Sequence, residues 1–119
     1  MAARALQRWV RQSPRKMRLV VDQIRGKNVN EAYALLRFSK KRAAKQIEKV
    51  LRSAVSNAEQ DALRDNSAFD VDQLFVSYVA VNDGPTLHRF RAAAMGRAAP
   101  IRKRMSHVEI RVAPREENE

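Results

Sequence analysis

The sequence predicts an α+β fold in which three helices pack on a small three-stranded antiparallel sheet and one long β-hairpin protrudes. Apolar residues recur at spacings of three and four between residues 14 and 66, as in amphipathic helices. Beyond residue 71, β-branched and aromatic residues are frequent, as in strands. Because 119 residues suffice for one domain and not for two, we expect a single domain over residues 1–119.

The first helix is predicted to begin at Ser13, a preferred N-cap residue, with Pro14 at the first helical position. Gly26 is expected to end it. The apolar face of this helix consists of Met17, Val20, Val21 and Ile24.

Two further helices are predicted, each from a candidate cap and an apolar stripe. Asn30 is expected to cap a short second helix that stops near Phe38, and Ser39 is expected to cap the longest helix, which ends around residues 65 and 66. The apolar residues of the second helix are Ala32, Leu35 and Leu36. Those of the third are Ala43, Ile47, Val50, Leu51, Ala54, Val55, Ala58 and Ala62.

Three strands are predicted. Residues 72–82 are apolar on both faces, which is typical of a central strand, whereas residues 104–112 alternate as in a half-buried strand. The inward face of the latter is predicted to be Ser106, Val108, Ile110 and Val112, and the outward face Met105, His107, Glu109 and Arg111. Residues 3–10 are the candidate third strand, with either Leu6 and Val10 or Ala5 and Trp9 facing inward.

Residues 84–104 are predicted to form the protruding hairpin, since their large apolar residues are only Leu87, Phe90 and Ile101. From Gly84 to a tip around residues 95–100, the outgoing arm spans about 35 to 45 Å at about 3.3 Å per residue, more than the width of the domain. An isolated hairpin is marginal in water, so we expect a partner to stabilise this one. A short helix over residues 91–97 is the alternative, because alanine favours helix.

Charge indicates the class of partner. The chain has 24 Lys and Arg against 13 Asp and Glu, and a net charge of +11, which points to a polyanion such as nucleic acid. Residues 1–21 and 84–108 each hold six bases and no acid. Arginine outnumbers lysine 17 to 7, and its planar fork both binds phosphate and stacks on bases, which favours RNA.

The predicted start of the longest helix is also basic, with Lys40, Lys41, Arg42 and, one turn later, Lys45. Cations at a helix N-terminus oppose the helix dipole, so helix stability does not account for them. They indicate either a phosphate site beside the free N–H groups of that turn or a solvated face.

Several function classes are disfavoured. The chain has no cysteine, and its two histidines, His88 and His107, are too far apart in sequence and without a third ligand to indicate a metal site. Neither a glycine-rich phosphate loop nor a nucleophile motif occurs, so we predict no catalytic residue, metal or cofactor.

A membrane location is disfavoured as well, because the apolar runs are far too short to span a bilayer. The basic first 21 residues are similar in composition to an organellar transit peptide, but the helix start at Ser13 and Pro14 ties them to the fold. We therefore expect a cytoplasmic protein rather than an organellar one.

Two blocks of the sequence are the most specific: Ser13-Pro14-Arg15-Lys16 and, near the end, Lys103-Arg104 with Ser106-His107. Through these blocks the sequence resembles the bacterial family of large-subunit ribosomal protein number twenty-two, and the resemblance covers nearly its whole length. Other matching residues are Leu19, Val20, Val21, Ile24, Arg25, Gly26, Lys27, Ser53, Ala54, Asn57, Ala58, Asp72, Leu74, Val76, Val81, Gly84, Pro85, Arg89, Gly96, Arg97, Ala98, Ile101, Ile110 and Val112.

The resemblance implies a structural protein without enzyme activity that is a monomer within the ribosome. It implies that the globular part binds 23S rRNA near the exit of the nascent-peptide tunnel and helps to hold RNA domains together during assembly. It also implies that the hairpin forms part of the tunnel wall, beside the nascent polypeptide and neighbouring ribosomal proteins. The residues expected at the tip, near the macrolide-binding constriction, are Met95, Gly96, Arg97, Ala98, Ala99 and Pro100.

The sequence departs from the family at the arm, where Ala92, Ala93 and Met95 stand in place of a Pro-Arg pair and a following base, and at Pro100 and Met105. The residues expected to contact RNA are Arg4, Arg8, Arg11, Ser13, Arg15, Lys16, Arg18, Lys27, Lys40, Lys41, Arg42, Lys45, Arg89, Arg91, Arg97, Arg102, Lys103, Arg104, Ser106 and His107. The competing hypothesis is a DNA-architectural or regulatory protein that inserts the ribbon into a groove. An RNA-processing enzyme is a third alternative, for which the sequence offers no catalytic constellation.

Overall fold

The computed structural model describes residues 3–92, 96 and 98–114. Their order is β1 (Ala3–Val10), α1 (Pro14–Ile24), α2 (Val29–Phe38), α3 (Arg42–Arg64), a single 3₁₀ turn (Val71–Gln73), β2 (Leu74–Ala92) and β3 (Ala98–Pro114). The strands form an antiparallel sheet in the order β1-β3-β2. Helix α3 packs against β1 and β3, and α1 packs against β2. The predicted α+β class, with three helices on a three-stranded sheet, is confirmed within these residues.

Helix α1 begins as the sequence predicts. The Ser13 hydroxyl accepts a hydrogen bond from the Lys16 N–H at 3.4 Å, and Pro14 is the first helical residue. All four predicted apolar residues are fully buried. Past the last turn, Gly26 has a φ of +77°, a left-handed conformation that glycine adopts without steric cost.

The predicted starts of α2 and α3 are each wrong by two residues. Helix α2 is capped by Asn28, and Asn30 lies inside it, where its amide donates to a carboxylate oxygen of Asp72 at 2.6 Å. Helix α3 is capped by Lys41 rather than Ser39. The Ser39 hydroxyl accepts from the Lys41 N–H at 3.3 Å, and this local turn holds the chain extended before the helix begins. The ends of both helices are as predicted.

The order of the sheet also differs from the prediction, because β3 and not β2 is the central strand. Strand β2 reads as apolar on both faces because its register shifts between Val76 and Tyr78, so the buried positions change parity along it. The alternation of β3 is confirmed, with all four predicted inward residues fully buried.

Strand β1 combines the two inward faces that the sequence left open. Ala5 and Val10 are buried, whereas Leu6 and Trp9 are exposed by 36% and 62%. The pairing with β3 shifts register between Gln7 and Val10, and Trp9 adopts a φ of +56° in this bulge. Because the bulge inserts extra backbone, inward residues precede and follow it at positions of different parity.

The hairpin is formed by continuous pairing of β2 with β3 from Thr86 and Arg104 to Ala92 and Ala98, and the described chain extends over 66 × 27 × 20 Å. Gly84 lies at its base, where a Cβ would come within 3.1 Å of the Met105 carbonyl group. Of the predicted tip, Gly96 has a φ of +74°. Met95 and Arg97 lie outside the described residues, as do Ala93 and the side chains of Arg89, Arg91, Ala99, Pro100 and Arg102.

Candidate nucleic-acid interface

A polar cleft of about 620 Å³ lies where the N-terminus of α1, the N-terminus of α3 and the base of the hairpin meet. We call it the cationic cleft. It is lined by Arg11, Gln12, Ser13, Lys16, Arg42, Gln46, Lys103 and Arg104. Five of these eight residues are basic and none is acidic. Basic segments that are remote in sequence are thus brought to one place.

The wall of the cleft between β1 and α1 is fixed by two hydrogen bonds of Gln12. The Ser106 hydroxyl donates to the carbonyl oxygen of Gln12 at 2.7 Å, and the Gln12 N–H donates to the carbonyl oxygen of Val10 at 2.8 Å. Ser106 is itself fully buried. It was expected to contact RNA, but its hydroxyl instead ties β3 to the turn that precedes α1.

Two helix N-termini open on the cleft. Ser13 caps α1, and Arg42 is the first residue of the 23-residue helix α3. Unpaired N–H groups and the positive end of the helix dipole attract anions at such positions. The positive ends of two helix dipoles therefore add to the charge of the five basic side chains of the cleft.

The basic surface continues along the start of α3. Lys41 and Arg42 line a neighbouring hollow with Leu19, and Arg42 also borders a second hollow with Lys40 and Lys45. The four cations predicted around this helix start consequently adjoin the cleft, which extends the basic surface beyond the hairpin base.

One edge of the sheet beside the cleft carries an exposed aromatic side chain. The backbone N–H of Trp9 donates to Nδ1 of His107 at 3.1 Å. The indole and imidazole rings meet edge to face with centroids 6.3 Å apart. Trp9 was absent from the expected contact residues, although an aromatic residue between Arg8 and Arg11 is a signal that sequence reasoning can use.

Three expected cations are engaged within the protein. The Arg4 guanidinium lies 3.5 Å from Glu109 on the outer sheet face, and Lys27 lies 3.8 Å from Glu31. Arg18 donates to the carbonyl oxygen of Val81 at 2.9 and 3.3 Å and lies 3.5 Å from Asp83. These cations are not part of the cationic cleft.

Two residues outside the expected set complete this arrangement. Arg25 donates to the carbonyl oxygen of Val79 at 2.7 Å, and with Arg18 it binds the outer edge of β2. Gln46 lines the cleft one helical turn after Arg42, a spacing that places both on one side of α3. Arg8 and Arg15 are exposed.

Within residues 3–92, 96 and 98–114, no three His, Asp or Glu side chains come together as metal ligands. Over the same residues, no helix is both long and apolar enough to cross a membrane.

A basic cleft at two helix N-termini, beside a hairpin that extends away from the core, is the arrangement expected of a protein that binds a polyanion such as nucleic acid. Comparison with known proteins agrees. Residues 5–113 match the family described as Ribosomal protein L22p/L17e. The chain is 50% identical over 115 residues to the large ribosomal subunit protein uL22 of Clostridium novyi (strain NT). The matched region covers 97% of this chain and 99% of that relative.

The chain therefore belongs to the L22p/L17e family of ribosomal proteins. It is a structural component of the large ribosomal subunit rather than an enzyme, and its setting is the ribosome, with rRNA and other proteins as neighbours.

Proposed function

We propose that the chain binds 23S rRNA through the cationic cleft and thereby holds RNA segments together as the large subunit assembles. The observation that carries this proposal is the convergence of Arg11, Lys16, Arg42, Lys103 and Arg104 on one cleft without an acidic residue. A protein surface that only needed to stay soluble would mix charges of both signs.

The physical basis is displacement of counterions from RNA phosphates by fixed cations. The three arginines of the cleft supply planar forks that bind phosphate through two hydrogen bonds, and the two lysines act as point charges. The positive ends of the α1 and α3 helix dipoles add to this attraction. Lys40, Lys41 and Lys45 lie around the start of α3 and extend the basic surface beyond the cleft. We call the cleft together with these three lysines the phosphate path.

We further propose that the hairpin lines the nascent-polypeptide exit tunnel. Support comes from the long pairing of β2 with β3 and from the 66 Å length of the described chain. A two-stranded ribbon of this kind lacks a core of its own and needs a surrounding partner. Folded RNA supplies that partner, and the small residues around Ala92 and Ala98 allow close approach.

Filter binding of the chain to a 23S rRNA transcript over a series of salt concentrations tests the first proposal. The association constant is expected to fall by about 0.7 to 0.9 log units per log unit of salt for each phosphate contact. Duplex DNA is the matched competitor. A flat salt response, or displacement of the transcript by duplex DNA at equal phosphate concentration, would contradict it.

Photo-crosslinking on ribosomes that carry a stalled nascent chain tests the second proposal. A photoreactive amino acid replaces Ala98, at the far end of the paired hairpin, and Thr86, at its base, is the control position. Crosslinks to the nascent chain are expected from position 98 and not from position 86. Equal or absent crosslinking at the two positions would overturn the tunnel assignment.

A further inference from the structure

Trp9 has a backbone conformation that its own side chain disfavours. Its φ of +56° lies in the left-handed region, which is uncommon for any residue with a Cβ and rare for a bulky one. Core packing does not compensate for this, because 62% of the residue is exposed. Strained residues that persist in a fold are concentrated at functional sites.

The bulge directs the indole outward and fixes its place. The register shift between Gln7 and Val10 turns the Val10 side chain inward while Trp9 points to solvent. Two contacts with His107 hold this arrangement: the hydrogen bond from the backbone N–H of Trp9 to Nδ1, at 3.1 Å, and the edge-to-face contact of the two rings. The result is a largely exposed aromatic side chain held in contact with His107.

This side chain lies beside the proposed phosphate path. Arg11, which lines the cleft, follows Trp9 by two residues, and Val10 pairs with Ser106, two residues after Arg104 of the cleft. On the same outer sheet face, the carboxylate of Glu109 is neutralised by Arg4 and Arg111 at 3.5 and 2.9 Å. The exposed indole and the cations of the cleft therefore lie on neighbouring parts of β1, β3 and the turn before α1.

We propose that Trp9 is a stacking platform for one unpaired nucleobase of the RNA whose phosphates occupy the cationic cleft. Aromatic side chains bind RNA bases that are splayed out of a helix, whereas the stacked bases of a duplex present no free face. The surrounding cations favour a nucleobase over an apolar segment of a neighbouring protein. The inference rests on the proposed RNA-binding function and adds to it the kind of nucleotide recognised.

The fluorescence of Trp9 provides the test, because it is the only tryptophan in the chain. Titration with a 23S rRNA transcript is expected to quench the emission, with the same midpoint as retention of that transcript on filters. A fully paired RNA duplex is expected to be retained at higher concentration without quenching. Retention of the transcript without quenching would overturn the stacking role and leave the RNA-binding function intact, whereas absence of retention would overturn both.

Two substitutions separate stacking from general apolar contact. Trp9→Leu is expected to weaken binding of the transcript by about tenfold, within the range of one base–aromatic stack, and Trp9→Phe by about threefold or less. Urea unfolding of both variants serves as the control for folding. Equal affinities of the two variants for the transcript would contradict stacking. Equal affinities together with quenching of Trp9 in the unsubstituted chain would indicate an apolar contact instead.

Discussion

The guanidinium of Arg18 donates two hydrogen bonds, of 2.9 and 3.3 Å, to the carbonyl oxygen of Val81. Val81 belongs to β2, an edge strand of the described sheet, whose open side is bridged by Asn28 at Phe75 and leaves the carbonyl groups further along without a neighbouring strand among the described residues. Arg25 binds the Val79 carbonyl oxygen in the same way. Part of the chain's positive charge therefore closes the edge of its own sheet and fastens α1 to it, instead of facing RNA.

Replacement of Arg18 by methionine is expected to lower the free energy of unfolding by about 1 kcal/mol, since the aliphatic stem stays and the hydrogen bonds to Val81 are lost. The matched control is Arg15→Met on the same helix, where the side chain is exposed and a change within about 0.5 kcal/mol is expected. Urea unfolding measures both variants. Equal losses would show that Arg18 does not support the sheet edge.

Replacement of Ser106 by alanine tests the positioning role of its buried hydroxyl. We expect a loss of about 1 to 3 kcal/mol, because the Gln12 carbonyl oxygen would lose its donor in a buried setting. Ser77 donates to the Arg111 carbonyl oxygen at 3.1 Å on the exposed side, so Ser77→Ala should cost less than about 0.5 kcal/mol. Thermal or urea unfolding decides, and a Ser106→Ala variant as stable as Ser77→Ala would refute the role.

Because the backbone of Trp9 is strained, we expect the stability of variants at this position to be the reverse of their ordinary strand propensity. Glycine accepts a φ of +56° freely, whereas valine is strongly disfavoured there although it is the better strand former. Trp9→Gly should therefore unfold at higher urea concentration than Trp9→Val, with a difference of about 1 to 2 kcal/mol. A more stable valine variant would mean that the bulge is not held in the left-handed conformation.

Much of the fold is encoded in patterns that are local in sequence. The cap at Ser13 and the apolar spacing that follows it fix α1, and strict alternation fixes the buried face of β3. The start of α3 is not predictable in this way, because Ser39 has the residue type of a cap but uses its hydroxyl in a turn. The central position of β3 depends on β1, which is distant in sequence and pairs with it through a bulge.

The sequence predicts which cations belong to the candidate site, but it does not predict that they lie together in one cleft. Lys16, Arg42 and Arg104 are separated by long stretches of chain, and only the packing of α1, α3 and β3 brings them to one cleft. Conversely, Arg18 belongs to the same basic stretch as Lys16, yet it binds the backbone of β2. Charge along a sequence does not distinguish a cation that faces a partner from one that satisfies an internal carbonyl group.

The salt dependence of 23S rRNA binding by a variant of the cleft tests the central claim most directly. The variant combines Lys16→Gln, Arg42→Gln and Arg104→Gln, and the control, with the same loss of charge on exposed residues elsewhere, combines Arg37→Gln, Lys49→Gln and Arg64→Gln. The slope of log K against log salt should become shallower by roughly 2 to 3 for the cleft variant and change little for the control. Equal changes in the two variants would show that binding follows net charge, and that the cationic cleft is not the RNA site.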